Sequence, residues 1–262
     1  MPQRSLPPPR RIRLCGVDID DVTMDEALER VAHLAERRGP PAYVVTPNVD
    51  HLVKLQDDPL FREVYARADL VLADGAPLLW ASRLVGTPLR AKVSGSDLFV
   101  ELAPIAAARG LKLFFMGGRP GAAERAAELL CARHPGLQVV GTYAPPFGFD
   151  RDPAEDQAAV ERVRAAAPDV LFVGLGAPRQ EKWIHAHREA LGVPVSLGVG
   201  VSFEFVSGDV RRAPRWMQRA GLEWTWRLAM EPRKLWRRYL VEDPRFVRLV
   251  ARDVADRVRG RR

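Results

Sequence analysis

Asp74 stands where an apolar run, residues 70–73, meets Gly75 and a helical pattern that begins at Ala76 and Pro77. A single acid at a strand tip, released into a turn by glycine, is placed to take a proton from a bound hydroxyl, because ligands of parallel α/β sheets gather at the carboxyl ends of strands. A second apolar run, residues 42–46, ends on Thr46 and is followed by Pro47 and Asn48. Asn48 reads in two ways: as the N-cap of the helical pattern Val49, Leu52, Val53, Leu55, or, with Thr46, as a polar group facing the same cleft as Asp74. Two turns, residues 117–121 and 174–176, set glycines between a strand and a helix start, where backbone N–H groups and the helix dipole can hold a phosphate. Neither reproduces the dinucleotide fingerprint of three spaced glycines with an acid about 20 residues on.

These groups need a scaffold that brings strand ends together. From residue 111 onward strands and helices alternate, with strands over 111–116, 137–143, 169–175 and 195–199. Continuous apolar strands between helices predict an α/β fold, a Rossmann-like and mostly parallel sheet covered by helices on both faces. Upstream, residues 12–19 read as a first strand, and Thr23 with Glu26 forms a capping box that opens a helix reaching residue 38. Asp18 and Asp20 are spaced like a metal-holding acid pair, but they precede a helix start, where negative charge is favoured in any case.

A chain of 262 residues with 47% hydrophobic content buries a core without staples. Cys15 and Cys131 are far apart and lack His or Cys at metal-ligand spacing, so they read as buried thiols of a reducing compartment. Residues 1–10, with four prolines and two arginines, read as a disordered leader without an apolar h-region. No run approaches the roughly 18 apolar residues of a membrane span, so the chain is expected to be neither exported by that route nor integral.

Charge divides the chain. Residues 211–262 carry sixteen Arg and Lys against six Asp and Glu, a net +10, which leaves the preceding part at −3 within a total of +7. The expected organisation is therefore a leader (1–10), an α/β body (11–210) and a basic helical appendage (211–262). In the appendage Arg212, Arg215 and Arg219 fall on one helical face, beside an apolar stripe of Trp216, Ala220 and Trp224. Beyond Pro232, Arg233 and Arg237 continue the basic register beside Leu235, Trp236, Tyr239 and Leu240, and a last basic helix starts at Phe246. Such a segment lies on an anionic membrane, covers a phosphate-bearing substrate, or packs its tryptophans on the body with a solvated basic face.

Seven ordered motifs then resemble the WecG/TagA/CpsF family of bacterial glycosyltransferases. They are TPNVDHLV from Thr46, ADGAPLLWASRLVG from Ala73, VSGSDL from Val93, FFMGGRPG from Phe114, GLGAPRQEKWI from Gly174, GVGVSFEFVSG from Gly198 and RAPRWMQRAGLEWTWRL from Arg212. The resemblance implies an inverting, metal-independent transfer of a sugar from a UDP-sugar to a polyprenyl-diphosphate-linked sugar acceptor. The setting it implies is the cytoplasmic face of the plasma membrane, peripherally bound, in teichoic acid or other cell-surface polysaccharide assembly. No cofactor, metal or nucleic acid is expected, and homo-oligomerisation of the body stays open.

In that family the acid of the DG motif is the general base, which falls on Asp74, and the pocket Thr and Asn fall on Thr46 and Asn48. Gln180, Tyr143 and Glu204 take the positions of substrate-binding residues, the last two near the nucleoside. Charge on the departing diphosphate falls to Lys92, to Arg212, Arg215 and Arg219, and to glycine-loop amides at Gly117 and Gly118. The chain departs from the family pattern at Lys92, where Arg is usual and the bidentate fork is lost. It also departs at Ser94, in place of Thr, and at Glu204, in place of Asp.

Two rival readings use the same residues: a nicotinamide-dependent sugar-nucleotide oxidoreductase or epimerase, and a basic nucleic-acid-binding protein. The first lacks the full glycine fingerprint, and Tyr43, Tyr65, Tyr143 and Tyr239 have no Lys four residues on. The second leaves Asp74 and both glycine loops without a task. The metal-free scheme predicts that sugar transfer is unchanged by EDTA; loss of turnover on chelation, restored by a divalent cation, contradicts it and brings Asp18 and Asp20 back into consideration.

Overall fold

The computed structural model describes residues 6–37 and 39–260, with the side chains of Arg219 and Lys234 outside the description. The chain opens with β1 (Arg11–Leu14) and β2 (Val17–Asp20), then α1 (Met24–Glu36), β3 (Ala42–Val45), α2 (Val49–Asp57), α3 (Pro59–Ala66) and β4 (Leu70–Val71). The middle comprises α4 (Ala76–Leu84), α5 (Gly95–Arg109), β5 (Lys112–Gly117), α6 (Ala122–Arg133), β6 (Gln138–Tyr143) and α7 (Pro153–Ala166). There follow β7 (Val170–Gly174), α8 (Arg179–Leu191), β8 (Val195–Gly198) and α9 (Ser202–Ser207).

Among the described residues six strands form one parallel sheet in the order β4-β3-β8-β7-β5-β6. Alternate side chains pass to opposite faces, as the pleat requires. Tyr43, Val45, Phe114 and Met116 join one apolar cluster and Ala42, Val44, Leu113 and Phe115 the other. Both faces are covered, so the inner strands β3, β5, β7 and β8 are largely apolar, and the α/β expectation holds. Phe99 packs edge-on against Phe115, Phe172 and Phe203, with ring centroids 4.9–5.3 Å apart, and ties α5 and α9 to the sheet.

The start of the chain differs from the expected single strand over residues 12–19. β1 and β2 form an antiparallel hairpin outside the main sheet. Its two-residue turn puts Cys15 at φ 49° and Gly16 at φ 84°, the conformation that suits a right-twisted hairpin. Apolar alternation runs through such a tight turn almost unbroken, which is why the sequence reads as one strand. Asp18 pairs with Arg13 across the hairpin, and buried Asp20 accepts from the Val71 N–H at 2.8 Å while pairing with Arg11. The two acids lie on the same face of β2, each paired with a different arginine of β1, and both hold the hairpin. Of the expected leader, residues 1–5 lie outside the described residues, and the Pro7 carbonyl accepts a hydrogen bond from Arg30 of α1.

The appendage is a chain of short helices: α10 (Arg215–Arg219), α11 (Glu223–Met230), α12 (Pro232–Arg237), a π-helical turn over Arg238–Glu242, and α13 (Arg245–Val258). Arg212 precedes α10 in extended chain, because Pro214 has φ −53° and ψ 146°, so Arg212 does not share a helical face with Arg215. Gly221, at φ 70°, separates α10 from α11 and breaks the expected tryptophan stripe. The last helix is anchored. Phe246 and Val250 enter the core, Arg245 makes a two-pronged pair with Asp57, and buried Asp253 accepts from the Cys15 N–H at 2.6 Å.

That last bond joins positions 238 residues apart. Asp253→Ala is expected to lower unfolding free energy by about 1.5–3 kcal/mol, the range for a hydrogen bond to a charged group, as measured by urea denaturation. An unchanged midpoint would mean that α13 is held by its apolar face alone.

Candidate active site

The strand order reverses between β3 and β8: the chain leaves β3 outward to β4, and returns through β7 to β8 from the other side. At such a switch point loops part and leave a crevice at the strands' carboxyl ends. A cavity of about 510 Å³ lies there. Thr46 and Asn48 after β3, Asp74 after β4, and residues 198–201 after β8 line one side, with Gly176 and Gln180 after β7. Lys92, Ser94, Gly95 and Ser96 come from the start of α5. The appendage closes the opposite side with Arg212, Glu223, Trp224, Arg227, Arg238, Tyr239 and Asp243.

Asp74 is held by its backbone. Its N–H donates to the Pro47 carbonyl at 2.8 Å, tying the tips of β3 and β4, and Gly75 turns the chain at φ 112°, which a side chain would resist. Removal from water pushes the Asp74 carboxyl up to about 7; Lys92 and Arg212 pull it down, while Glu223 and Asp97 push it further up. Burial also raises Asp97, but bonds from Arg212 (2.6 Å) and Ser94 (2.6 Å), with Lys92 at 3.5 Å, outweigh it and leave Asp97 below its ordinary value. Two neighbouring acids are therefore driven apart in basicity: Asp97 stays ionised and organises the cations, and Asp74 exchanges its proton near neutrality.

Both readings of Asn48 hold together. Its Oδ1 accepts from the His51 N–H at 3.2 Å as the cap of α2, and it also accepts from Arg238 at 3.4 Å across the cavity. Gln180 is fixed by three bonds: Oε1 accepts from the N–H groups of Gly176 (3.1 Å) and Gly200 (3.0 Å), and Nε2 donates to Glu181 (2.8 Å). A side chain at position 198 would meet Nε2 at 2.6 Å, so Gly198 makes room for this staple.

Other expected groups lie outside the cavity lining. The Gly118 N–H donates to the Gly174 carbonyl at 2.8 Å, extending the β5–β7 pairing, and the Arg119 N–H donates to Glu204 Oε1 at 2.9 Å. The Gly118 amide, like those of Gly176 and Gly200, is thus already engaged within the protein. Gly117, at the end of β5, lies against Gly174 of β7. Tyr143, at the end of β6, stacks under Arg162 at 4.7 Å. Glu204 is buried on α9, with Oε2 lacking a hydrogen-bond partner among the described residues. Exposed Arg215 does not reach the cavity, and the side chain of Arg219 lies outside the described residues.

Residues absent from the sequence-level site are Arg227, Arg238, Tyr239 and Asp243. Arg238 lies 3.6 Å from buried Asp50 and 3.9 Å from Asp243. Burial raises the Asp243 carboxyl to about 6 against the pull of Arg238, with Asp50 adding to the rise. Their signal was the dense arginine and aromatic texture after Pro232, but which of those residues turn inward depends on the π-helical turn, and sequence periodicity does not reveal it. His51, on the cavity floor, is held neutral by burial at a value of about 3 and bonds the Tyr65 hydroxyl at 2.6 Å. Among the described residues no three His, Cys, Asp or Glu side chains converge to hold a metal.

A parallel α/β body with a titratable carboxylate and several cations at its switch point is an arrangement suited to an anionic ligand. Comparison with known proteins goes further. The Glycosyl transferase WecG/TagA/CpsF family profile matches residues 12–260. An N-acetylglucosaminyldiphosphoundecaprenol N-acetyl-beta-D-mannosaminyltransferase of Bacillus spizizenii is 34% identical over 83% of this chain and 81% of its own. Relatives of the same name from Bacillus subtilis (strain 168) and Staphylococcus aureus (strain MW2) are 32% identical over 76% of this chain and 75% of their own, and 29% over 87% of each. The chain belongs to the WecG/TagA/CpsF family and is a glycosyltransferase that uses a sugar donor. The oxidoreductase and nucleic-acid readings give way to that membership.

A carboxylate raised to about 7 must lose its proton to act as a base. Below that value kcat/KM is expected to rise tenfold per pH unit and to level off above it, and Asp74→Asn is expected to abolish this limb in a pH–rate profile. Stability runs the other way: the fold disfavours the ionised form, so the native contribution of Asp74 falls as pH rises from about 4 towards 7. Asp74→Asn should accordingly melt no lower than the parent protein at pH 8.

Proposed function

We propose that this enzyme moves an N-acetylmannosamine-type sugar from a UDP-sugar to a polyprenyl-diphosphate-linked N-acetylglucosamine acceptor, with inversion and without a metal, in teichoic acid or related cell-surface polysaccharide assembly. The observation that carries the reading is the Asp74 carboxyl, raised towards neutral basicity in a cavity that Lys92, Arg212, Arg227 and Arg238 also line. The names of the three relatives support the sugar and the acceptor.

In the proposed step the acceptor hydroxyl oxygen attacks the anomeric carbon and its proton passes to Asp74. The bond from that carbon to the diphosphate oxygen breaks, and the electron pair leaves with UDP. A single displacement inverts the centre. Negative charge grows on the leaving group, and Lys92, Arg212, Arg227 and Arg238 are the fixed charges available to meet it. Thr46 and Asn48 orient the sugar beside Asp74. Gly117 and Gly118 at the end of β5 and Tyr143 at the end of β6 lie farther along the same sheet edge, with Glu204 of α9 beside Gly118, and this side receives the nucleoside.

The lipid-linked acceptor implies work at a membrane surface. No helix of the described residues is long and apolar enough to cross a bilayer. The appendage instead exposes Trp216 (63%), Trp236 (51%), Leu240 and Val241 among its arginines, a mixture suited to the headgroup boundary of an anionic, cytoplasm-facing leaflet.

The test is turnover of a panel of UDP-sugars on a short-chain lipid-diphosphate N-acetylglucosamine acceptor. UDP-N-acetylmannosamine is expected to be the best donor, and Asp74→Asn to lower kcat by about 10²- to 10⁴-fold with the fold intact. Near-parental turnover of the variant would remove Asp74 from the role, and preference for another donor would change the assigned sugar.

A further inference from the structure

Glu181 is a buried acid with no part in the scheme above. It is 1% exposed, follows Gln180 on α8, and its Oε2 has no hydrogen-bond partner among the described residues. Its Oε1 accepts from Gln180 Nε2 at 2.8 Å. Burying an acid with half its acceptor capacity unused is unfavourable, so a purely structural role is poorly served by a carboxyl here.

The geometry around Gln180 supplies a different role. A primary amide can be turned over with little change in shape, exchanging its oxygen and nitrogen. In one orientation Oε1 accepts from the Gly176 and Gly200 N–H groups, clamping the loops after β7 and β8, and Nε2 has two N–H groups to give. In the other, two backbone donors would face an NH₂ group and the oxygen would face Glu181. Glu181 Oε1 takes one Nε2 hydrogen, which leaves the second for the cavity that Gln180 lines. Gly198, where a Cβ would come within 2.6 Å of Nε2, gives the staple its space.

We infer that Glu181 is a positioning residue for glycosyl transfer: it locks the Gln180 amide so that one Nε2–H is presented to an oxygen of the bound sugar nucleotide while both glycine loops stay clamped. The acceptor oxygen of Glu181, at the reach of its full side chain, does this work, and its negative charge is not required. The inference rests on the reading that the cavity receives the sugar donor.

Glu181→Gln keeps an acceptor oxygen at the same reach, whereas Glu181→Asp keeps the carboxylate and withdraws it by one methylene. Glu181→Gln is expected to retain donor KM within about threefold. Glu181→Asp is expected to raise it about tenfold, the loss of one directed hydrogen bond, with kcat changed less. In the Gln180→Met background Glu181→Asp should add little, since its effect passes through the amide. The Gln180 side-chain amide, identified in ¹H–¹⁵N spectra by its disappearance in Gln180→Met, should exchange slowly with solvent in the parent and in Glu181→Gln and faster in Glu181→Asp.

That spectrum needs no substrate, so it separates the two readings. An enzyme that transfers no sugar but shows the expected exchange pattern overturns the donor site and leaves the lock standing. Equal exchange in all three proteins, a Glu181→Gln variant as impaired as Glu181→Asp, or full additivity with Gln180→Met overturns the lock.

Discussion

One unfavourable placement organises this protein: the Asp74 carboxyl is partly withdrawn from water at the carboxyl edge of a parallel sheet, under the influence of two cations and two further acids. Burial alone would keep it protonated, and a close unshared cation would hold it ionised throughout the neutral range. Asp97 prevents the second outcome by engaging Lys92 and Arg212, and its own ionisation is secured by Arg212, Ser94 and Lys92. The cations are thus divided between an acid that holds them and an acid that feels them at a distance. Much of the local architecture serves that division, including the Ser94 cap of α5 and the extended backbone that brings Arg212 in ahead of α10.

The sheet order decides which loops share this environment. Because β8 pairs with β3 on one side and β7 on the other, three loops from distant parts of the chain meet above neighbouring strand ends. β4 adds a fourth through its pairing with β3. Gln180 then clamps two of these loops through their backbone N–H groups. The result is a wall in which the Gly176 and Gly200 N–H groups are already taken up by a side chain. Lysine and arginine side chains, whose charge acts over several ångströms, line the same cavity.

The appendage supplies the other wall, and it is tied down at its far end by Asp253, Arg245 and two core residues of α13. Between α9 and α13 the chain runs as short helices interrupted at Gly221, Glu231 and the π-helical turn. Polar bonds across the cavity help to hold this stretch, among them Arg212 to Asp97 and Arg238 to Asn48 and Asp50.

Alternation of apolar strands with helices, the capping box at Thr23 and the acid–glycine step at Asp74 are local patterns, and the sequence alone determined them together with the parallel α/β class, because hydrophobic period and turn chemistry are written within a few residues. The meeting of Thr46, Asn48, Asp74, Lys92, Gln180 and Arg212 at one cavity was legible only through the ordered motifs, since their separation in the chain says nothing of strand order. Tertiary structure decided the rest. It turned residues 12–19 into a hairpin, took Arg212 off the α10 face, brought Arg227, Arg238 and Asp243 inward, and engaged the Gly118 and Gly176 amides within the protein. Each of these depends on what a group meets across the fold, and burial, which sets the basicity of Asp74 and strands an oxygen of Glu181, is a property of the packed molecule that no single segment contains.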